Sequence, residues 1–220
     1  MHKDPNLTIR LERARSWISM AEAEQQLDHA RFVFYWIAFN SMYGLPPIDP
    51  DHLDKEPESQ RSEIRKFLGR VKDMLRYDRE RMTGILDNAT KKCLFEAKAL
   101  IEDPFLSYEY WEAEKSPPHV ERACKSDWEH ADTEFRQKGQ IDSILNFSFY
   151  RLTVLRNQVL HGSATATVES KGFNSLLNGV RFLKIMVPAL YELLESHGDR
   201  IRRWPRAPYP RRGHIEHPHF

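Results

Sequence analysis

Apolar side chains recur every three or four residues through most of the chain, and no long stretch alternates between apolar and polar residues. This spacing places side chains on one face of an α-helix, whereas alternation would indicate a strand. The first apolar helix face includes Leu7, Leu11 and Ala21. In the following segment, RFVFYWIAFNSMYG, apolar residues occupy nearly every face of the predicted helix. Such a helix is expected to be buried on several sides.

Later segments extend the helical pattern. After the proline-rich acidic stretch LPPIDPDHLDKEPES, which predicts a loop, SEIRKFLGRVKDMLRY predicts one helix and residues 82–101 predict another. Pro104 is expected to end the second, because proline restricts the residue before it and donates no backbone hydrogen bond. Residues 141–161 predict a helix of about six turns. A last helix begins at Phe173, and Pro188 inside it is expected to kink it or to remove one hydrogen bond.

The pattern predicts an all-α fold, a helical bundle in one domain over residues 1–197. Residues 104–139 predict a loop-rich insert with one short helix, because their apolar positions are hard to assign to a stripe. Residues 198–220 form a basic tail rich in Arg, Pro and His. This tail is expected to be solvated, or alternatively to be an arm that contacts RNA or a protein through its arginines, Trp204 and Tyr209.

Composition narrows the class of protein. The 220 residues are 40% hydrophobic and 30% charged, which is enough apolar material for a packed core. Lys+Arg 33 against Asp+Glu 32 gives a net charge of +1, so binding of nucleic acid through overall positive charge is not indicated, while a local basic patch stays open. No apolar run approaches the roughly 18–20 residues of a membrane span. A cytoplasmic protein without a membrane partner or a secretory signal is therefore expected.

Metal and cofactor chemistry has little support in the sequence. Cys93 and Cys124 are far apart and form no CxxC pair, which argues against a disulfide framework and a structural zinc site. His214, His217 and His219 lie in the tail at irregular spacing. We therefore expect no cofactor and no metal site.

One polar cluster, in LRNQVLHG, ends the long helix of residues 141–161. Asn157 and His161 are four residues apart and share a helix face, and Arg156 lies about 100° around, with a side chain long enough to reach the same patch. An imidazole with an ordinary pKa of about 6.5 exchanges protons near neutral pH, and a guanidinium pairs with phosphate oxygens. These are the groups that RNA cleavage without a metal requires, and the amide can orient the imidazole or the substrate.

The same residues also suit an ordinary helix terminus. A histidine near a helix C-terminus complements the helix dipole, and Gly162 after it is a suitable stop. Arg156 can be a surface ion-pair partner, and Asn157 a polar surface residue. Spacing alone favours this simpler interpretation over catalysis, because short motifs often occur by chance.

A resemblance to a known family changes this balance. The string VLRNQVLHGSAT resembles the signature of the HEPN superfamily, and RFVFYWIAFNSMYG and NSLLNGVRFLKIMVPAL resemble helices of its Apea-like branch. The resemblance implies an all-α bundle, usually dimeric, and many members are metal-independent endoribonucleases of toxin–antitoxin, abortive-infection or other defence systems. By the same resemblance, Arg156 and His161 are the catalytic pair and Asn157 supports them.

A dimer is also expected on chemical grounds. Attack by a ribose 2′-hydroxyl requires one proton to be removed and another to be delivered to the leaving oxygen. Two motifs that face each other across a two-fold interface supply two imidazoles and two guanidinium groups to one phosphodiester. The expected products carry a 2′,3′-cyclic phosphate and a 5′-hydroxyl. The alternative, in which one histidine moves both protons, stays open.

The expected partners are RNA, a second copy of the chain, and an antitoxin or another defence-system protein. Tyr150 and Arg151 precede the motif by one to two turns and either line the cleft and contact RNA or simply pack. Two other functions stay open. One is a HEPN module that binds RNA, nucleotides or a protein without cleavage, and the other is a structural helical dimer within a larger complex.

Overall fold

The computed structural model describes residues 4–44, 60–77, 79–111, 117–161 and 171–201, together with Trp204, Pro205 and Ala207. Within these residues the chain is helical and contains no strand, which confirms the predicted all-α class. No helix in the described ranges is long and apolar enough to cross a lipid bilayer. The α-helices are α1 Pro5–Ala23, α2 Asp28–Tyr43, α3 Gln60–Tyr77, α4 Arg79–Lys92, α5 Leu94–Glu102, α6 Tyr108–Trp111, α7 Pro117–Lys138, α8 Asp142–Leu160 and α9 Lys171–His197, with short 3-10 turns at Pro104–Leu106 and Gly198–Arg200.

Two of the predicted helical stretches are divided. The N-terminal stretch breaks between α1 and α2, where the Glu24 carboxylate accepts hydrogen bonds from the backbone N–H groups of Gln26 and Leu27 at 2.8 and 2.9 Å. These bonds lower the pKa of Glu24, because they stabilise its ionised form. The stretch at 82–101 breaks at Cys93, between α4 and α5. Periodicity did not reveal these breaks, because the apolar stripe continues across them.

The centre of the bundle is aromatic and joins four helices. Phe39 of α2 stacks on Phe149 of α8, with ring centroids 4.0 Å apart, and meets Phe67 of α3 edge-on at 5.8 Å. Phe149 also meets Phe182 of α9 edge-on at 5.7 Å. All four rings are buried. The nearly all-apolar α2 is therefore an interior helix, as its sequence predicts, and its packing fixes the inner face of α8.

The prediction of a loop-rich insert at residues 104–139 is wrong for the part of that region that the structure describes. Its main element is α7, a helix of 22 residues. The helix packs on α5 and α8. Its buried residues recur at helical spacing. The pattern was hard to recognise in the sequence, because two of these residues are a cysteine and an alanine and their neighbours are charged. Its buried members are Val120, Cys124, Trp128, Ala131 and Phe135.

The beginning of the tail packs against α1, which corrects the expectation of a solvated segment or an RNA-contacting arm for those residues. Trp204 is 2% exposed and donates its indole N–H to the Gly198 carbonyl at 3.0 Å. Buried Arg10 donates to the carbonyls of Gly44 at 2.9 Å and Pro205 at 3.3 Å, and thereby ties the end of α2 to the tail. Burial lowers the pKa of Arg10 to about 10. Tyr209 and the three tail histidines lie outside the described residues.

Helix α9 approaches α2 and α8 closely at Gly179. A Cβ atom there would lie 2.8 Å from Cδ2 of Leu155 and 3.1 Å from Cε2 of Phe32. We expect Gly179→Val to lower the free energy of unfolding by about 1–3 kcal/mol, because the added methyl groups overpack a closed core. Urea denaturation measures the change. Gly69→Val in α3, where nothing lies within 4 Å, is the matched control and should stay within about 0.5 kcal/mol of the parent. Equal effects in the two variants would contradict this packing.

Candidate functional site

The C-terminal end of α8 leaves the core and reaches the surface. The middle of the helix is buried through Phe149, Leu152 and Leu155, whereas Leu160 and His161 are exposed. His161 is the C-cap residue, and its backbone N–H donates to the Asn157 carbonyl at 2.9 Å. The imidazole therefore stands at an exposed helix end. Gly162, the predicted stop, lies outside the described residues.

The other two motif residues contact different neighbours. Arg156 is partly buried, with its guanidinium carbon 5.9 Å from the centre of the Trp36 ring in α2. Asn157 donates its side-chain N–H to the Tyr108 hydroxyl in α6 at 3.1 Å. The helix thus carries the arginine on its α2 side and the amide on its α6 side. The imidazole follows one turn after the amide.

The segment from Phe105 to Trp111, which we call the wall, lies beside the motif and bonds to it. The Phe105 carbonyl accepts hydrogen bonds from the Gln158 side chain at 2.8 Å and from the Trp111 indole at 3.0 Å. Tyr108 and Trp111 are both exposed. Sequence analysis missed this wall because it placed the segment in a loop-rich insert. The contact of Asn157 with Tyr108, 49 positions earlier, has no counterpart in local spacing.

Arg151 is buried inside the protein, and it also belongs to the lining of a cavity between α3, α7 and α8. Its side chain is 2% exposed, its Nη2 lies 2.9 Å from Oδ2 of Asp127, and its Nε donates to the Ile101 carbonyl at 3.2 Å. The guanidinium thereby joins α8 to α5 and α7. Burial raises the pKa of Asp127, although the charge of Arg151 opposes that rise. The desolvation of this carboxylate therefore outweighs its attraction to the arginine.

Tyr150 lies at the surface of α8 and contacts the wall beside the motif. Its ring centroid is 5.7 Å from that of Tyr108, the residue that accepts the hydrogen bond of Asn157. Burial is the largest influence on Tyr150 and raises the pKa of its phenol. The side chain is therefore a neutral aromatic group at physiological pH.

A cavity of about 440 Å³ opens between α3, α7 and α8, with Tyr150 in its lining. Arg61 and Arg65 of α3 face it, and the Arg61 guanidinium carbon lies 4.1 Å from the centre of the Tyr150 ring. His130 of α7 also lines the cavity. Sequence analysis did not single out these three residues. The spacing of four between the arginines was the available signal, and α7, which contributes His130 to the same cavity, was not predicted.

The described ranges contain no group of three or more His, Cys, Asp or Glu side chains arranged to hold a metal ion. Comparisons of the chain with models of protein families, with curated proteins and with solved structures find no match.

Proposed function

We propose that the chain is a metal-independent endoribonuclease whose active site forms where the α8 ends of two subunits meet in a homodimer. The observation that supports this most is the exposed imidazole of His161, which follows an amide held by Tyr108. An exposed imidazole at a helix end is accessible to a polymer substrate. The resemblance of VLRNQVLHGSAT to the HEPN signature supplies the reaction class.

In this proposal each subunit contributes one imidazole to one phosphodiester. His161 of one subunit removes the proton from the ribose 2′-hydroxyl, whose oxygen then attacks the phosphorus. His161 of the other subunit delivers a proton to the departing 5′-oxygen. Arg156 stabilises the charge that develops on the phosphorane, because guanidinium N–H groups match phosphate oxygens. The products carry a 2′,3′-cyclic phosphate and a 5′-hydroxyl, with Asn157 as the orienting residue.

The proposed setting is the cytoplasm, within a toxin–antitoxin or phage-defence system. Such a nuclease must be restrained until it is needed, so an antitoxin or another protein of the same system is the proposed regulatory partner. The basis for this setting is the HEPN resemblance of the sequence.

Incubation of the purified full-length chain with labelled single-stranded RNA in the presence of EDTA tests the proposal. We expect cleavage to continue in EDTA and every new 3′ end to carry a cyclic phosphate, which mass spectrometry of the fragments identifies. Cleavage that stops in EDTA and resumes with added divalent metal would contradict the mechanism. A stable RNA complex without any product would favour a binding module instead.

The hydrogen bond between Asn157 and Tyr108 provides a smaller test. We expect Tyr108→Phe to slow cleavage by about 2- to 10-fold, the rate equivalent of one ordinary hydrogen bond, because the amide loses its fixed acceptor. Single-turnover rates measure the effect. Tyr110→Phe in the same helix is the control, and an equal loss in both variants would contradict an orienting role for this bond.

A further inference from the structure

The cavity between α3, α7 and α8 carries positive charge that nearby carboxylates do not neutralise. Arg61 and Arg65 are exposed and form no ion pair within the part of the chain that the structure describes. The lining also contains Arg151, Asp127 and Glu109, and Asp127 pairs with Arg151, so three arginines stand against two carboxylates and an excess of one positive charge is left. In a chain of net charge +1, this excess is a local feature of the cavity.

The geometry of Arg61 suits a phosphate group. The guanidinium carbon lies 4.1 Å from the centre of the Tyr150 ring, a distance typical of a cation–π contact. The N–H donors of a guanidinium lie in its own plane, where they match two oxygens of a phosphate. Arg65 follows one turn later on the same helix and lines the same cavity. Together the two side chains offer an anion more than one donor group.

The remaining lining suits a planar, polar ring. Phe147 and Asn146 of α8 line the cavity, and His130 meets the Phe147 ring edge-on at 6.5 Å. An aromatic face packs against a nucleobase, and a side-chain amide offers both a donor and an acceptor to a base edge. A volume of about 440 Å³ lies within the range of pockets that hold small ligands. A nucleotide combines the required phosphate with the required ring.

The cavity and the motif lie along the same helix, because residues 143–153 of α8 line the cavity and the motif ends that helix. Tyr150, Asn157 and His161 are separated by seven and four residues and lie on one helix face, so the cavity wall is roughly 16 Å from the imidazole along the helix axis. Tyr108 bridges this interval, because it contacts the Tyr150 ring and bonds to Asn157. A strand of RNA can therefore occupy both places at once.

We propose that this cavity holds one nucleotide of the RNA strand that is cleaved at the α8 end. Arg61 and Arg65 contact its phosphate, and Phe147 and Asn146 contact its base. The proposal rests on the proposed nuclease function for its substrate, but its own observation is the charged, ring-lined cavity. It assigns to the cavity the role of positioning the strand some nucleotides away from the scissile bond.

Binding of a fluorescent single-stranded RNA to the His161→Ala protein tests this site without interference from cleavage. We expect Arg61→Gln with Arg65→Gln, added to that protein, to weaken binding by about 10- to 100-fold. The slope of log affinity against log salt should also fall by about 0.7, because both arginines contact one phosphate and each neutralised single-strand phosphate contributes roughly 0.7. Arg122→Gln with Arg181→Gln removes the same charge from exposed positions outside the cavity and should change both quantities much less.

Competition by poly-glutamate and direct binding of mononucleotides identify the ligand. Equal losses in the two double variants, or displacement of RNA by poly-glutamate as effective as displacement by unlabelled RNA, would overturn the proposal, because either result indicates general charge attraction. Arginine-dependent binding of AMP, GMP, CMP or UMP without any effect on RNA affinity would also overturn it, in favour of a free nucleotide. Cleavage by the parent chain is measured separately, so arginine-dependent RNA binding without cleavage contradicts the nuclease proposal alone.

Discussion

Replacement of His161 by alanine is expected to slow RNA cleavage by about 10²–10⁴-fold, the usual contribution of a general acid–base group. In the proposed dimer the variant removes the imidazole from both subunits, so neither the 2′-hydroxyl proton nor the leaving oxygen would have its exchange partner. His161 is exposed and makes its described hydrogen bonds through the backbone, so folding and dimer formation should be unchanged. Single-turnover cleavage with saturating enzyme measures the loss in the chemical step.

His119→Ala is the matched control for this prediction. His119 is also exposed, and it belongs to a different helix, the first turn of α7. We expect its cleavage rate to match that of the parent chain. Undiminished cleavage by His161→Ala, with a circular dichroism spectrum and a dimer mass like those of the parent, would refute the assignment of His161 as catalytic.

Removal of the Asp127 carboxylate is expected to lower the free energy of unfolding by about 3–5 kcal/mol, because it leaves the Arg151 guanidinium buried without its counter-charge. The side chain of Arg151 is only 2% exposed, whereas that of Asp127 is 33% exposed. Asp127→Ala therefore leaves the guanidinium of Arg151 unpaired at a position that is almost entirely shielded from water. Arg151→Met leaves a carboxylate that can still hydrate, so its cost should be smaller, about 1–3 kcal/mol, mainly from the unpaired Ile101 carbonyl.

The double variant Asp127→Leu with Arg151→Met separates charge from packing. Burial raises the pKa of Asp127, so the pair is retained at a desolvation cost that an apolar pair does not carry. We expect the double variant to lose less stability than Asp127→Ala alone. Urea unfolding of all variants gives the comparison. A larger loss for Arg151→Met than for Asp127→Ala would contradict this account of the buried pair.

The helical class could be predicted from the sequence because the core stripes are long and mostly made of large apolar residues. The stripe of α8, with Phe149, Leu152 and Leu155, is an example. The stripe of α7 contains Cys124 and Ala131 among charged neighbours, so it escaped recognition even though its spacing is regular. The size of the apolar side chains, and not their spacing alone, determined which helices could be recognised in the sequence.

Long-range contacts account for most of what the sequence did not reveal about the site. The positions of Arg156, Asn157 and His161 on one helix end follow from local spacing, and the structure places them there. The bond of Asn157 to Tyr108 and the contact of Arg61 with Tyr150 join distant parts of the chain. The burial of Trp204 was unpredictable for a similar reason, because its backbone N–H bonds to Asp4 at the start of the chain and its indole N–H bonds to Gly198.

Mixing of parent and His161→Ala subunits tests most directly whether two subunits share one active site. After subunit exchange has been verified by native mass spectrometry of differently tagged chains, cleavage is measured at constant total protein. If each site needs both imidazoles, only parent homodimers are active, so an equal mixture should retain about a quarter of the parent activity. Retention of about half, with activity proportional to the fraction of parent subunits, would contradict a site that needs an imidazole from each subunit.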